Sequence, residues 1–298
     1  MPDALRSRLA SGDVVITAEI SPPRGADPDA IGAAAVPLRG RVDAVNVTDG
    51  PGGSARMSSL AGSVLALAAG VEPVMQLTCR DRNRIALQAD LLGAAALGIR
   101  NVLLMTGDHP RSGDHPQARP VFDLDGVQLV RAARGMRDHG RLLSGRALAS
   151  APGWLIGAAA DPSAPVARLA VKVAAGAEFV QTQYVFDVPR FARWLTEVRA
   201  LGLDQRCAIL AGVGPVRSIR ALEHLMAGLP GVQIPAALDR RLRGVPAGQV
   251  AAEGLRICAD TIQQLLQLPG VRGVHLMTPG AEHRIPEILD QAGLCHAH

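Results

Sequence analysis

Short apolar runs recur along the chain at residues 14–20, 42–47, 72–77, 101–105, 154–160, 178–183, 207–213 and 273–277. Each is followed by a glycine, proline or polar break and then by a stretch with helical spacing. The runs are strand-length and mostly rich in Val, Ile or Leu without strict alternation, as strands buried on both faces of a parallel sheet read. Helical periodicity covers residues 58–69, 84–97, 125–139, 165–175, 188–201, 219–228 and 247–267, and Gly98, Gly140, Gly176 and Gly202 stand near four of the ends. Eight strands alternating with helices predict an α/β fold, a single (β/α)8 TIM barrel. An open doubly wound sheet is the competing architecture, but no GxGxxG follows the first run. Two connections are long: one between residues 106 and 153, and one between 214 and 272 that holds at least two helices. No low-complexity linker divides them, so residues 1–298 are read as one domain.

Composition narrows the function. Apolar residues make up 48% of the 298-residue chain and charged residues 19%, enough for a large core and too ordered a pattern for global disorder. Aromatic residues are only 2%, which disfavours a nucleic-acid surface built on stacking. No apolar stretch is long enough to predict a membrane span, and the first residues lack a signal-peptide pattern. Cys79, Cys207, Cys258 and Cys295 are far apart with no CxxC pair, as expected of reduced, mostly buried thiols in a cytoplasmic protein. Of 31 basic residues only Lys172 is a lysine.

Barrel chemistry sits where strands end and the following loops begin. Those positions hold Glu19, Thr48-Asp49-Gly50, Gln76 with Thr78, Thr106-Gly107-Asp108, Asp161, Gln183, Gly214, and His275 with Thr278. Alternation places Val15, Thr17 and Glu19 on one face, plausibly the barrel interior. A carboxyl among apolar strand residues loses solvation and can act as a general acid; the plainer reading is a Glu paired with an arginine. Asp108, after Gly107, can stabilise a cation or hold a heterocycle, or it can be a turn residue bonding its own loop. Gln183 offers a donor and an acceptor to a pterin or purine edge, or to loop backbone. His109 and His115, in a doubled Gly-Asp-His-Pro, read as turns rather than metal ligands. Lys172 falls inside a helix, so an aldolase Schiff base is disfavoured; it either reaches a cofactor phosphate or lies on the surface.

The pieces Glu19-x-x-Pro22-Pro23-Arg24, Val47-Thr48-Asp49-Gly50, Gln76-Leu77-Thr78-Cys79, Gly98-Ile99-Arg100-Asn101, Gly107-Asp108-x-Pro110, Lys172-x-x-x-Gly176-Ala177 and Thr182-Gln183-x-x-Phe186-Asp187 stand in register over about residues 13–290. In this order they resemble the methylenetetrahydrofolate reductases. The resemblance implies a flavin barrel that reduces 5,10-methylenetetrahydrofolate to 5-methyltetrahydrofolate with NADH or NADPH. It makes Glu19 the acid that protonates the departing folate nitrogen and Asp108 the anion that stabilises the iminium. Gln183, with Glu19 and Asp108, would hold the folate. Thr48, Asp49, Gln76, Thr106, Gly107, Asp108, Ala160 and Lys172 fall where the family contacts FAD, with Lys172 at the cofactor phosphates.

The chain departs from that pattern at flavin-facing positions. Thr106 replaces the usual arginine before Gly-Asp, and Ala160-Asp161-Pro162-Ser163-Ala164-Pro165 lacks the usual Tyr-Pro and following histidine. FAD is therefore expected to bind weakly, differently or not at all, the last leaving hydride transfer directly from the nicotinamide. The segments Phe122-Asp-Leu-Asp125-Gly and Gly212-Val-Gly214-Pro215 look like a bacterial branch found beside methyltransferases. That leaves open a methyltransferase partner, a homo-oligomer, and a second function: a folate-binding protein without reductase activity that supplies methyltetrahydrofolate to that partner.

Overall fold

A computed structural model describes residues 3–229 and 231–294. Eight parallel strands close a barrel in sequence order: β1 (Val15–Ile20), β2 (Ala44–Val47), β3 (Pro73–Thr78), β4 (Asn101–Met105), β5 (Leu155–Ala160), β6 (Phe179–Tyr184), β7 (Ala208–Val213) and β8 (Val271–Leu276). The helices are α1 (Ala4–Ser11), α2 (Asp29–Ala35), α3 (Ser59–Ala68), α4 (Arg84–Ala96), α5 (Gly126–His139), α6 (Val166–Ala175), α7 (Val188–Ala200), α8 (Ile219–Gly228), α9 (Ala236–Arg243), α10 (Val250–Leu266) and α11 (Ile285–Gln291). Every apolar run became a strand and every helical stretch a helix. Four helices escaped the periodicity. Of these, α1 and α9 are crowded with charge, and α2 and α11 are each seven residues long, too short to develop a face. The last strand begins two residues earlier than its apolar run. There Ile209 pairs with Val271 and Leu210 with Gly273, so Arg272 is the extra residue of an irregularity.

The strands alternate more strictly than their sequences suggest, because the polar residues point inward. Ile16, Ala18, Val45, Val47, Met75, Leu77, Val102, Leu104, Ile156 and Val180 face the helices and form the main core. Residues of opposite parity fill the barrel. Its lower part is apolar, with Val15, Ala44, Val74, Leu103, Leu155, Phe179 and Leu210 packed with Leu5 of α1. A Cβ on Gly157 would stand 2.2 Å from the Phe179 ring, so this glycine is the space that the ring fills. Glu72 seats α1 beneath the barrel by accepting from Ala4 N (2.6 Å), Leu5 N (3.4 Å) and Asn101 Nδ2 (2.7 Å). Burial pushes the Glu72 carboxyl above the usual range.

Above the apolar part lies a polar layer of Thr17, Asn46, Gln76, Gln181 and His275, all buried. The Asn46 and Gln181 amides exchange two hydrogen bonds across the barrel, from Asn46 Nδ2 to Gln181 Oε1 (2.5 Å) and from Gln181 Nε2 to Asn46 Oδ1 (2.9 Å). The large majority of buried side-chain polar atoms are hydrogen-bonded, as these amides are. Cys79, Cys207 and Cys258 are free and buried, whereas Cys295 lies outside the described residues. No helix among the described residues is long and apolar enough to cross a membrane.

Candidate active site

The polar layer is the floor of a cavity of about 440 Å³ at the carboxyl end of the strands. Glu19, Thr48, Asp49, Gln76, Gly107, Asp108, Ala160, Lys172 and Gln183 all line it, so the fold collects every expected site residue there except Thr106. Thr106 instead accepts from Gly126 N (3.0 Å), closing the start of α5. A hydroxyl at that turn satisfies a free helix N–H.

Glu19 enters from β1 with its side chain 18% exposed. Gln76 Nε2 donates to its Oε2 (3.3 Å), and His275 Nε2 lies 3.8 Å from the same oxygen. The expected arginine partner is not there: no arginine pairs with Glu19 among the described residues. His275 also faces Thr17, with Nδ1 3.0 Å from the threonine hydroxyl. The two are register partners on adjoining strands, both inward. Burial, reinforced by the nearby Glu19 charge, pushes the Tyr184 phenol well above the usual range.

Asp49 lines the cavity and also serves as a strut. It is buried, and its carboxylate accepts from Thr78 N (2.9 Å), Thr78 Oγ1 (2.8 Å) and both terminal nitrogens of Arg82 (2.8 and 3.1 Å). Arg82 also pairs with Asp90. Arg80 is similarly committed, to Gly50 O, Asp49 O and Asp81. These cations reinforce the loops after β2 and β3.

Asp108 bonds a neighbouring loop rather than its own, accepting from Gly52 N (3.0 Å). The second Gly-Asp repeats the arrangement: Asp114 accepts from Ala55 N (3.0 and 3.3 Å), which holds its carboxyl below the usual range. Between them a Cβ on Gly113 would stand 2.0 Å from Gly53 O, so the two loops touch backbone to backbone. Arg24, from the loop after β1, reaches Asp114 at 4.0 Å. The two Gly-Asp turns are thus one seam that joins the loops after β2 and β4.

Gln183 turns its Oε1 to Tyr184 N (2.9 Å) while lining the cavity. Lys172 is not a plain surface lysine: from α6 it donates to Ala159 O (2.6 Å) and is half-buried. Loss of water, then Arg168, lowers its pKa, partly offset by Asp161. Sequence reasoning noticed His275 at a strand end and gave it no role; it passed over Asn46 and Gln181. The signal was parity: all three share the inward alternation of Glu19 once the strand registers are known.

A closed barrel with a ligand-sized mouth that carries a carboxyl, amides and a histidine over a sealed floor is the architecture of barrels that handle small molecules. The chain belongs to the methylenetetrahydrofolate reductase family, whose model matches residues 4–293. It is 27% identical over 241 residues to a probable methylenetetrahydrofolate reductase (NADPH) of Caenorhabditis elegans, covering 80% of this chain and 34% of that protein. It is 29% identical over 233 residues to a probable methylenetetrahydrofolate reductase (NADH) of Oryza sativa subsp. japonica, covering 75% of this chain and 38% of that protein. The chain thus spans little more than a third of the length of these relatives. In fold it resembles an uncharacterized protein from Clostridium thermocellum that binds two copies of 5-methyl-5,6,7,8-tetrahydrofolic acid. The TM-score there is 0.64 at 12% identity, over 99% of this chain and 98% of that one.

Proposed function

We propose that this chain reduces 5,10-methylenetetrahydrofolate to 5-methyltetrahydrofolate with hydride from NADH or NADPH. The observation that carries this reading is the convergence of Glu19, Asp108 and Gln183 on one cavity in a chain of this family. Glu19 gives a proton to the folate nitrogen that leaves as the five-membered ring opens. The carbon–nitrogen pair left behind is an iminium, and hydride adds to its carbon to make the methyl group. Asp108 exchanges its bond to Gly52 N for that cation and the pterin. Gln183 holds the pterin edge. The floor below is packed with apolar side chains under paired amides, so the charges act in a poorly screened site.

The residues present do not fit a resident FAD. A dinucleotide pyrophosphate is held by cations or by backbone N–H groups at a helix N-terminus. The first turn of α6 carries no side-chain cap and no glycine loop, and Lys172 already donates to Ala159 O with the Asp161 carboxylate beside it. Arg80 and Arg82 are tied to Asp81 and Asp49. Hydride therefore passes directly from the nicotinamide to the folate. The test is the absorbance spectrum of the purified protein with an NADH and NADPH oxidation assay. The expected result is a colourless protein that oxidises a nicotinamide only when methylenetetrahydrofolate is present. A flavin spectrum would overturn the direct transfer. Folate binding without nicotinamide oxidation, with or without added FAD, would favour a carrier that supplies methyltetrahydrofolate to a methyltransferase.

A further inference from the structure

His275 meets the proposed acid yet does no chemistry in the reaction just described. We propose that His275, oriented by Thr17, is a positioning residue that decides which oxygen of Glu19 carries the transferable proton. This rests on the reading of Glu19 as the acid.

The hydrogen positions follow from counting donors. Gln181 spends one Nε2 hydrogen on Asn46 Oδ1 (2.9 Å) and the other on Thr17 Oγ1 (3.1 Å), while its Oε1 receives Asn46 Nδ2. Thr17 Oγ1 is thereby an acceptor and has one hydrogen to give. Two acceptors compete for it, His275 Nδ1 at 3.0 Å and Val274 O at 3.5 Å, and the shorter contact takes it. Nδ1 is then the bare nitrogen, and the ring hydrogen resides on Nε2, facing Glu19 Oε2. Gln76 Nε2 donates to that same oxygen.

Glu19 Oε2 therefore accepts from Gln76 (3.3 Å) and has the His275 Nε2–H before it at 3.8 Å, so a hydrogen placed on it would point toward donors. The acid hydrogen rides on Oε1, which meets no protein donor among the described residues. When Oε1 releases its proton to folate, the charge spreads to Oε2, where the Gln76 N–H is already bonded and the His275 N–H needs only a small approach from 3.8 Å. Because His275 is buried and ends on the closed Thr17–Gln181–Asn46 chain, it orients the acid and supplies no proton of its own.

Nitrogen-15 NMR of histidine-labelled protein tests the tautomer directly. We expect the His275 resonances, identified by their loss in His275→Asn, to show hydrogen on Nε2 and none on Nδ1. Kinetics give a second readout. In His275→Asn the amide replaces Nδ1 alone, and kcat should fall about 10- to 100-fold with the folate KM within about threefold. His275→Gln places an amide nitrogen where Nε2 was and should retain most of kcat. Thr17→Val should mix the tautomers and lower kcat, and Thr17→Ser should restore both. Hydrogen on Nδ1 in the wild type, or equal losses in the paired variants with folding confirmed by thermal melts, would overturn the proposal. A wild type without folate-dependent nicotinamide oxidation would sink the proposed activity instead, and the NMR result would then decide the histidine's orientation alone.

Discussion

Glu19→Gln keeps the shape of the proposed acid and its contact with Gln76 while removing the hydrogen that the proposal has it give. A general acid contributes about 100- to 10,000-fold, so kcat should drop by at least about 100-fold. Folate affinity, measured by titration in the absence of nicotinamide, should stay within a few fold, and wild-type turnover in this variant would end the assignment. Lys172 makes a different prediction, about stability. Its native pKa is lowered, chiefly by burial, from the ordinary 10.5. Between the native value and 10.5 the unfolded chain binds more protons than the native one, so stability rises with pH across that window. Below it, the buried ammonium is a fixed cost. The urea midpoint of the wild type should climb as pH approaches 10.5, and that climb should be missing from Lys172→Met. A parallel climb in both proteins would show that the lysine is not the cause.

The seam between the loops after β2 and β4 is where motif reading fell shortest. The two Gly-Asp-His-Pro copies looked like turns in a mobile loop, because nothing local reveals that Gly52 and Ala55 supply their partners. Those partners lie 56 and 59 residues away in sequence. Gly113→Ala puts a methyl group against Gly53 O and must part the loops. We expect the folate KM to rise about tenfold, the equivalent of about 1.4 kcal/mol, with the melting temperature nearly unchanged. An unaltered KM would separate the seam from the site. Strands and long helices, by contrast, were legible because burial on both sheet faces writes itself as apolar runs and helical packing as a 3.6-residue period. His275, Asn46 and Gln181 were hidden for the opposite reason: inside an apolar run one polar residue looks like noise until its parity is compared with that of Glu19 on another strand.

At the scale of the barrel, the two ends do different work. Below, Leu5 of α1 plugs an apolar interior; above, the cavity holds the proposed site. Leu5→Ala should cost about 2–5 kcal/mol in denaturant unfolding, the usual range for a buried leucine. Steady-state constants measured well below the unfolding transition should hold, because ends of this fold separate stability from function. A changed KM would mean that the plug communicates with the mouth. Sequence alone could foresee the barrel and bring the expected site residues to its mouth. It could not foresee which cations were already spent, since the commitments of Arg80, Arg82 and Lys172 are made by loops and carbonyls that only the closed barrel brings near.

The paired amides of Asn46 and Gln181 have a last consequence. They and the apolar filling beneath them shut the barrel from below, so protons come and go at Glu19 by the mouth alone. On the proposed function, a folate seated there would cork that opening. Glu19 would then be single-shot, spent once per visit and recharged only after the product departs, which would tie each new catalytic cycle to ligand exchange rather than to the hydride step.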